Sequence, residues 1–347
     1  MFFASDNAGP VHPAVMEALN EANSGFAASY GADALTVDVR TRLRNIFEAP
    51  DAAVYLVATG TAANSLALAT LGQPWQTIFC APLAHIEEDE CNAPEFYTGG
   101  AKLTLVGDSD KMTGQTLLDT LTALQVRDVH RAQAGPVSIT QVTECGTLYT
   151  LDEIRAITDQ ARMSGLPVHL DGARFSNALV ALGCTAAEMS WKSGIDVVSF
   201  GGTKNGLMGA EAVIFFDPAH AWEFELRRKR GAHLFSKHRY LSAQMAAYLR
   251  NDLWLETASA ANASCARLAA GLRAANIQLD FEPQANMIFC SIPRVLAQRL
   301  QLRGATFSVM QGSIDTGPPD ALLPIRLVCD WSITHDQIDQ FLEIVSS

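Results

Sequence analysis

At 347 residues, with 48% hydrophobic and 18% charged residues, the chain has the make-up of a globular enzyme with one large domain and a smaller one. A formal net charge of −12, from 25 basic against 37 acidic residues, argues against a nucleic-acid or anionic-membrane partner. No apolar run is long enough to span a bilayer, and Met1-Phe2-Phe3-Ala4-Ser5-Asp6 has neither a basic nor an apolar leader region. The seven cysteines are odd in number and form no C-x-x-C pair, which suits free thiols in a cytoplasmic protein; the eight histidines are scattered, and no metal site is expected.

In chain order, residues 1–15 read as an N-terminal arm rather than a packed element. Residues 36–48 read as a helix, with Val39, Leu43, Ile46 and Phe47 on one stripe. Strands and helices then alternate: strand 54–58, helix 60–71, strands 77–80 and 102–106, helix 113–125, strand 136–142, helix 151–164, and strands 168–171, 197–200 and 211–216. Such alternation predicts an α/β fold with a mostly parallel sheet covered by helices on both faces. A helical region over about 218–275 follows. Shorter units at 286–291, 295–302, 306–310, 325–329 and 334–345 suggest a small α+β domain. The expected division is an arm at 1–15, a large cofactor-binding domain at 16–249 and a small C-terminal domain at 250–347.

Ligands of such sheets lie beyond the carboxyl ends of the strands. The loops after Ala58, Cys80, Val142, Leu170 and Phe200 should therefore meet. One of them carries Gly201-Gly202-Thr203-Lys204-Asn205, and a lysine after a buried strand and two glycines needs a covalent or ionic task. Another ends on Asp171. A lysine to form a Schiff base and an aspartate to hold a pyridinium nitrogen protonated are what pyridoxal 5'-phosphate (PLP) requires. Thr59-Gly60-Thr61-Ala62-Ala63-Asn64, where a strand turns into a helix, suits a phosphate; the plainer alternative is an ordinary capped turn.

His85, just past another strand, offers a ring to stack on the cofactor and a group that titrates near neutrality; a surface histidine opening an acidic helix is the alternative. The run Glu87-Glu88-Asp89-Glu90 reads as a solvated feature of that helix. Arg174 follows Asp171, and Arg326 interrupts an apolar strand, so each can grip a carboxylate in two-point fashion. For Arg326, an edge-strand charge that blocks aggregation competes. Arg227-Arg228-Lys229-Arg230 is either a solvated helix end or a source of a cation for a phosphate across a subunit boundary.

These residues resemble the L-threonine aldolases of low specificity, within the β-eliminating lyase superfamily and the aspartate-aminotransferase-like PLP fold type I. The resemblance spans nearly the whole chain: Ser5-Asp6, Tyr30-Gly31-Ala32-Asp33, Gly60-Thr61-Ala62-Ala63-Asn64, His85, His169-Leu170-Asp171-Gly172-Ala173-Arg174-Phe175, Gly201-Gly202-Thr203-Lys204-Asn205 and Arg326. It implies catalytic roles for Lys204, Asp171 and His85. It implies that Gly60, Thr61, His85, Asp171, Arg174, Thr203 and Lys204 hold the cofactor. Ser5, Arg174 and Arg326 would bind the substrate carboxylate, with Tyr30 reaching in from a neighbouring subunit of a homo-oligomer built of dimers, a tetramer being expected. The expected reaction is aldol cleavage of L-threonine and related β-hydroxy-α-amino acids to glycine and an aldehyde. A PLP-dependent β-lyase or aminotransferase on the same scaffold would instead release pyruvate and ammonia, or a keto acid. One departure stands out: many family members have Thr-His-Asn-Gly where this chain has Thr143-Glu144-Cys145-Gly146. A second active-site histidine is thus absent, leaving His85, a water held by it, or Glu144 to take the hydroxyl proton.

Overall fold

The computed structural model describes residues 1–124 and 128–347; Gln125, the last residue of the helix expected at 113–125, lies outside them. Seven strands form the main sheet: β1 (Ala53–Val57), β2 (Gln76–Cys80), β3 (Lys102–Leu105), β4 (Gln133–Thr140), β5 (Val168–Gly172), β6 (Val197–Phe200) and β7 (Glu211–Phe215). Their spatial order is β1-β7-β6-β5-β4-β2-β3. Neighbours from β6 to β3 pair parallel, and β7 runs antiparallel to both β6 and β1. β1, β5, β6 and β7 are buried along their whole length, as strands covered by helices on both faces are. The register pairs Thr140 with Asp171 and Asp171 with Ser199, so the carboxyl ends of β4, β5 and β6 finish side by side.

The helix Gly60–Leu71 is buried from Ala62 to Thr70, in keeping with its Ala/Leu composition and the absence of a polar face. The helix Leu151–Met163 is amphipathic by contrast. It opens with a reciprocal cap in which Thr150 accepts from the Glu153 amide and Glu153 accepts from the Thr150 amide.

A second, antiparallel sheet has the order β8-β10-β9, with β8 at Met287–Pro293, β9 at Ser308–Val309 and β10 at Leu322–Val328. Its core joins Leu268, Ile288, Ile325, Leu327, Ile338 and Phe341, separate from the core of the main sheet. β10 is the central strand.

Two expectations are corrected. Residues 1–15 are not an unpacked arm. Phe3 is fully buried in the second core, its amide donates to the Thr306 carbonyl (2.7 Å), and its own carbonyl accepts from the Val328 amide (2.8 Å). A helix also begins at Pro13, with Pro at its first position. The region 218–275 is not continuous either. It splits into Ala221–Arg230, Arg239–Tyr248 and Leu253–Ala274, with Ala232, Asn251 and Asp252 at positive φ between them, a backbone state that ends a right-handed helix. Among the described residues, no helix is long and apolar enough to cross a membrane.

Candidate active site

A cavity of about 420 Å³ opens at the carboxyl ends of the strands. Its walls include Ala58, Gly60 and Thr61 after β1, His85 after β2, Glu144 after β4, Asp171 at the end of β5, and Thr203 and Lys204 after β6. The five loops expected to meet do so.

Lys204 sits on a short turn, Thr203–Asn205, reached through Gly201 and Gly202. A Cβ at Gly201 would lie 2.3 Å from the Ala173 carbonyl oxygen, and one at Gly202 2.7 Å from that of Ala210. Only glycine lets the chain pass this close to its neighbours and deliver the lysine here. Burial, and then the charge of Arg174, hold the Lys204 amine below its ordinary pKa. Its Nζ makes no hydrogen bond among the described residues. A buried carboxylate braces the turn from β7: Glu211 accepts from the Gly202 amide (2.6 Å) and from the Thr203 hydroxyl (2.5 Å). Burial pushes the Glu211 carboxyl up to about 7.

The Asp171 side chain is almost wholly buried. One oxygen accepts from the Ala173 amide (3.0 Å), the other from Asn64 Nδ2 (2.8 Å). Asn64 Nδ2 also donates to Glu90 Oε1 (2.9 Å), and the same oxygen pairs with His85 Nδ1 (2.9 Å). A hydrogen-bonded chain therefore runs from His85 through Glu90 and Asn64 to Asp171. The hydrogen bond to Glu90 lifts the His85 imidazole above its ordinary value, against the effect of burial. Burial pushes the Glu90 carboxyl up as well. Behind Asp171, His169 is clamped between the hydroxyls of Ser138 and Ser199 (2.9 Å each), and burial drops its pKa to about 4, keeping it neutral.

At the start of the helix Gly60–Leu71, Thr59 Oγ1 accepts from the Ala62 amide (3.2 Å). The amides of Gly60 and Thr61 have no acceptor among the described residues, so the cavity receives two free N–H groups at the positive end of a twelve-residue helix.

The other expected residues lie off the cavity wall. Arg174 is buried and donates through Nε and Nη2 to Asp6 Oδ2 (2.7 Å) and Oδ1 (2.9 Å). Arg326 donates through Nη2 to the Ala4 carbonyl (3.4 Å), and its Nε is buried without a partner. Because β10 is flanked on both sides, the edge-strand explanation for Arg326 fails. The Ser5 hydroxyl accepts from the Asn7 amide (3.1 Å), and Asn7 does line the cavity. Tyr30 is exposed, with Lys229 Nζ 5.0 Å from its ring centre and Ser236 donating to its hydroxyl (3.4 Å). The basic run is not a freely solvated helix end. Arg227 pairs with Glu223, and Arg228 is buried against Tyr55 and pairs with Glu225 (2.8 Å).

Sequence reasoning missed Glu90, Asn64 and Glu211. Of the acidic run, Glu87, Glu88 and Asp89 are exposed as expected, but Glu90 is buried. It lies past the end of the short helix His85–Glu88, where Cys91 and Asn92 at positive φ turn the chain back.

Residues 3–293 match the β-eliminating lyase family. The chain belongs to this family. It is 40% identical over 339 residues to the low specificity L-threonine aldolases of Pseudomonas aeruginosa and of a Pseudomonas species, covering 97% of this chain and 94% of each relative. The solved threonine aldolase of Leishmania major superposes with a TM-score of 0.92 at 26% identity, over 99% of this chain and 98% of that one. This β-eliminating lyase thus shares both sequence and fold with its relatives across nearly its whole length, small sheet included.

Proposed function

We propose that this chain is a PLP-dependent aldehyde-lyase that cleaves L-threonine, L-allo-threonine and related β-hydroxy-α-amino acids to glycine and an aldehyde. The observation that carries this reading is the meeting of Lys204, Asp171 and His85, from three separate loops, in one cavity under the free amides of Gly60 and Thr61. Those groups fit PLP: an unpaired, half-buried amine on the cavity wall for its aldehyde, a buried carboxylate for its ring nitrogen, and two amide donors for its phosphate. When bound, the cofactor supplies an electron sink for the Cα–Cβ bond that breaks.

The chain's own residues do the rest. A depressed pKa raises the share of Lys204 amine that is free to act as nucleophile and proton acceptor. Asp171, fixed by Asn64 and the Ala173 amide, presents a charge that does not rotate away. Glu90 holds Nδ1 of His85, which leaves Nε2 to accept the β-hydroxyl proton. Arg174, Arg326 and Ser5 grip the substrate carboxylate and so set which bond at Cα is aligned for cleavage. Thr203 supports the lysine turn beside the cofactor, and Tyr30 completes the site of a neighbouring subunit.

The test is direct. Purified protein loaded with PLP is incubated with L-threonine, L-allo-threonine and their D-isomers, and aldehyde and glycine are quantified. Aldehyde with equimolar glycine from the L-isomers is expected. Pyruvate with ammonia, or a keto acid, would overturn the assignment.

A further inference from the structure

The two arginines assigned to the substrate carboxylate come from different sheets, yet both are tied to the same stretch of backbone. Arg174 follows β5 and binds Asp6. Arg326 lies on β10 and donates to the carbonyl of Ala4, which also accepts from Ser308 (3.2 Å). Ser5 stands between these anchors. The stretch is itself held, because Phe3 is buried and bonded to Thr306, just before β9, and to Val328 of β10. Asn286, at the foot of β8, donates to Asp6 Oδ2 (3.0 Å) and to the Cys329 carbonyl (2.9 Å). Asp6 is therefore the point at which main sheet, small sheet and N-terminal segment meet.

The pairing is specific in its atoms. A guanidinium offers five N–H groups in a rigid planar fork. Asp6 takes Nε–H and one hydrogen of Nη2, leaving the Nη1 edge, which makes no hydrogen bond among the described residues. Burial alone would push the Asp6 carboxyl up, but the charges of Arg174 and Lys204 and its hydrogen bonds outweigh that, so it sits below its ordinary value and stays ionised.

We propose that Asp6 is a positioning residue for the substrate carboxylate: it locks Arg174 side-on, so that the Nη1 edge faces the incoming carboxylate in fixed register with Arg326. The proposal rests on the reading that these arginines bind that carboxylate. Asp6 touches neither substrate nor cofactor and acts through Arg174. An amide in its place would leave the buried guanidinium without its paired carboxylate and free to turn. Binding of the α-carboxylate is then weakened most, and the alignment at Cα that the grip sets loosens with it.

The experiment compares the wild-type holoenzyme with Asp6→Asn, Arg174→Ala and the double variant. It reads KM and kcat for L-threonine, the dissociation constant for glycine from the visible spectrum, and the thermal midpoint. Asp6→Asn should raise KM and the glycine constant more than 10-fold, equivalent to ~1.4 kcal/mol, with a smaller fall in kcat. In the Arg174→Ala background it should add nothing, because Asp6 acts only through that arginine. A folded Asp6→Asn protein with both constants within twofold of wild type, whatever its thermal midpoint, would overturn the proposal, and so would additive effects. Should Asp6→Asn not accumulate as folded protein, Asn286→Ala replaces it. A rise of about threefold in both constants supports the proposal, and unchanged constants reject it. Failure of the wild type to release aldehyde would instead sink the functional reading, and is seen before any variant is compared.

Discussion

At the scale of single residues, the site is a set of charged groups held out of water, and each owes its behaviour to a named neighbour. Lys204 is the clearest case: two glycines deliver it, Glu211 braces its turn, and burial beside Arg174 weakens its hold on a proton. Replacing it by alanine should abolish the visible absorbance of the PLP-loaded protein and nearly all turnover. Borohydride reduction followed by peptide mass spectrometry checks the site of attachment. Labelling of another lysine with normal activity would refute the assignment. The His85–Glu90 pair yields a prediction about pH. His85 must be neutral to accept a proton, and Glu90 lifts its pKa above the ordinary value of about 6.5. The wild-type kcat/KM should therefore rise with pH through that lifted value. In Glu90→Gln the neutral ring persists to lower pH, so the acid limb should move down the pH scale. The plateau should fall about 10- to 100-fold, as the ring loses its orienting partner. An acid limb at the same pH in both proteins would remove Glu90 from this role.

At the scale of elements, the decisive case is β10. In sequence, a charge inside Pro324-Ile325-Arg326-Leu327-Val328 is equally at home on a sheet edge or at a binding site. The sheet order β8-β10-β9 places it in the middle, where an edge function is meaningless and a buried, unpaired Nε needs a partner. Arg326→Ala should raise KM for L-threonine more than 10-fold, and Arg326→Lys should recover little of it, because an ammonium cannot reproduce a planar two-point grip. The absorbance of the bound cofactor should stay intact in both. Steady-state kinetics beside a light-scattering check decides the matter: unchanged kinetics with lowered solubility would count against a binding role. The helix Leu253–Ala274 matters differently. Trp254 belongs to the core of the main sheet and Leu268 to that of the small one, so a single rigid element carries both. Our proposed division between the domains, near residues 249–250, lies just before it.

At the scale of the whole molecule, the chain exposes large apolar side chains that a monomer would leave in water: Phe26 completely, with Phe96 and Trp222 mostly uncovered. Tyr30 and Lys229 are exposed together and contact each other off the cavity wall. We expect a homo-oligomer of dimers that share active sites, reaching a tetramer. Analytical ultracentrifugation at assay concentration, with activity measured on the same sample, tests this. A fully active monomer would contradict it.

Much of the architecture was legible in the chain because it depends on short-range patterns. The βαβ alternation, the helix at 60–71 and the strand at 197–200 follow from residue periodicity and turn chemistry, and the structure reproduces the last two to the residue. The convergence of Lys204, Asp171 and His85 was legible for a related reason: a parallel sheet sends every strand's carboxyl end to one side. What the chain alone did not show was which charged groups pair. Glu90 looked like one more member of an acidic run, and Asp6 like part of a loose arm. Glu90 became the buried partner of His85 once the chain turned back at Cys91 and Asn92, and Asp6 that of Arg174 once distant segments packed together. Periodicity reports which face of an element is apolar, whereas the burial and pairing of a single carboxylate depend on where turns and other segments bring their atoms, 168 residues apart for Asp6 and Arg174. Tertiary structure decided those, and with them the electrostatics of the site.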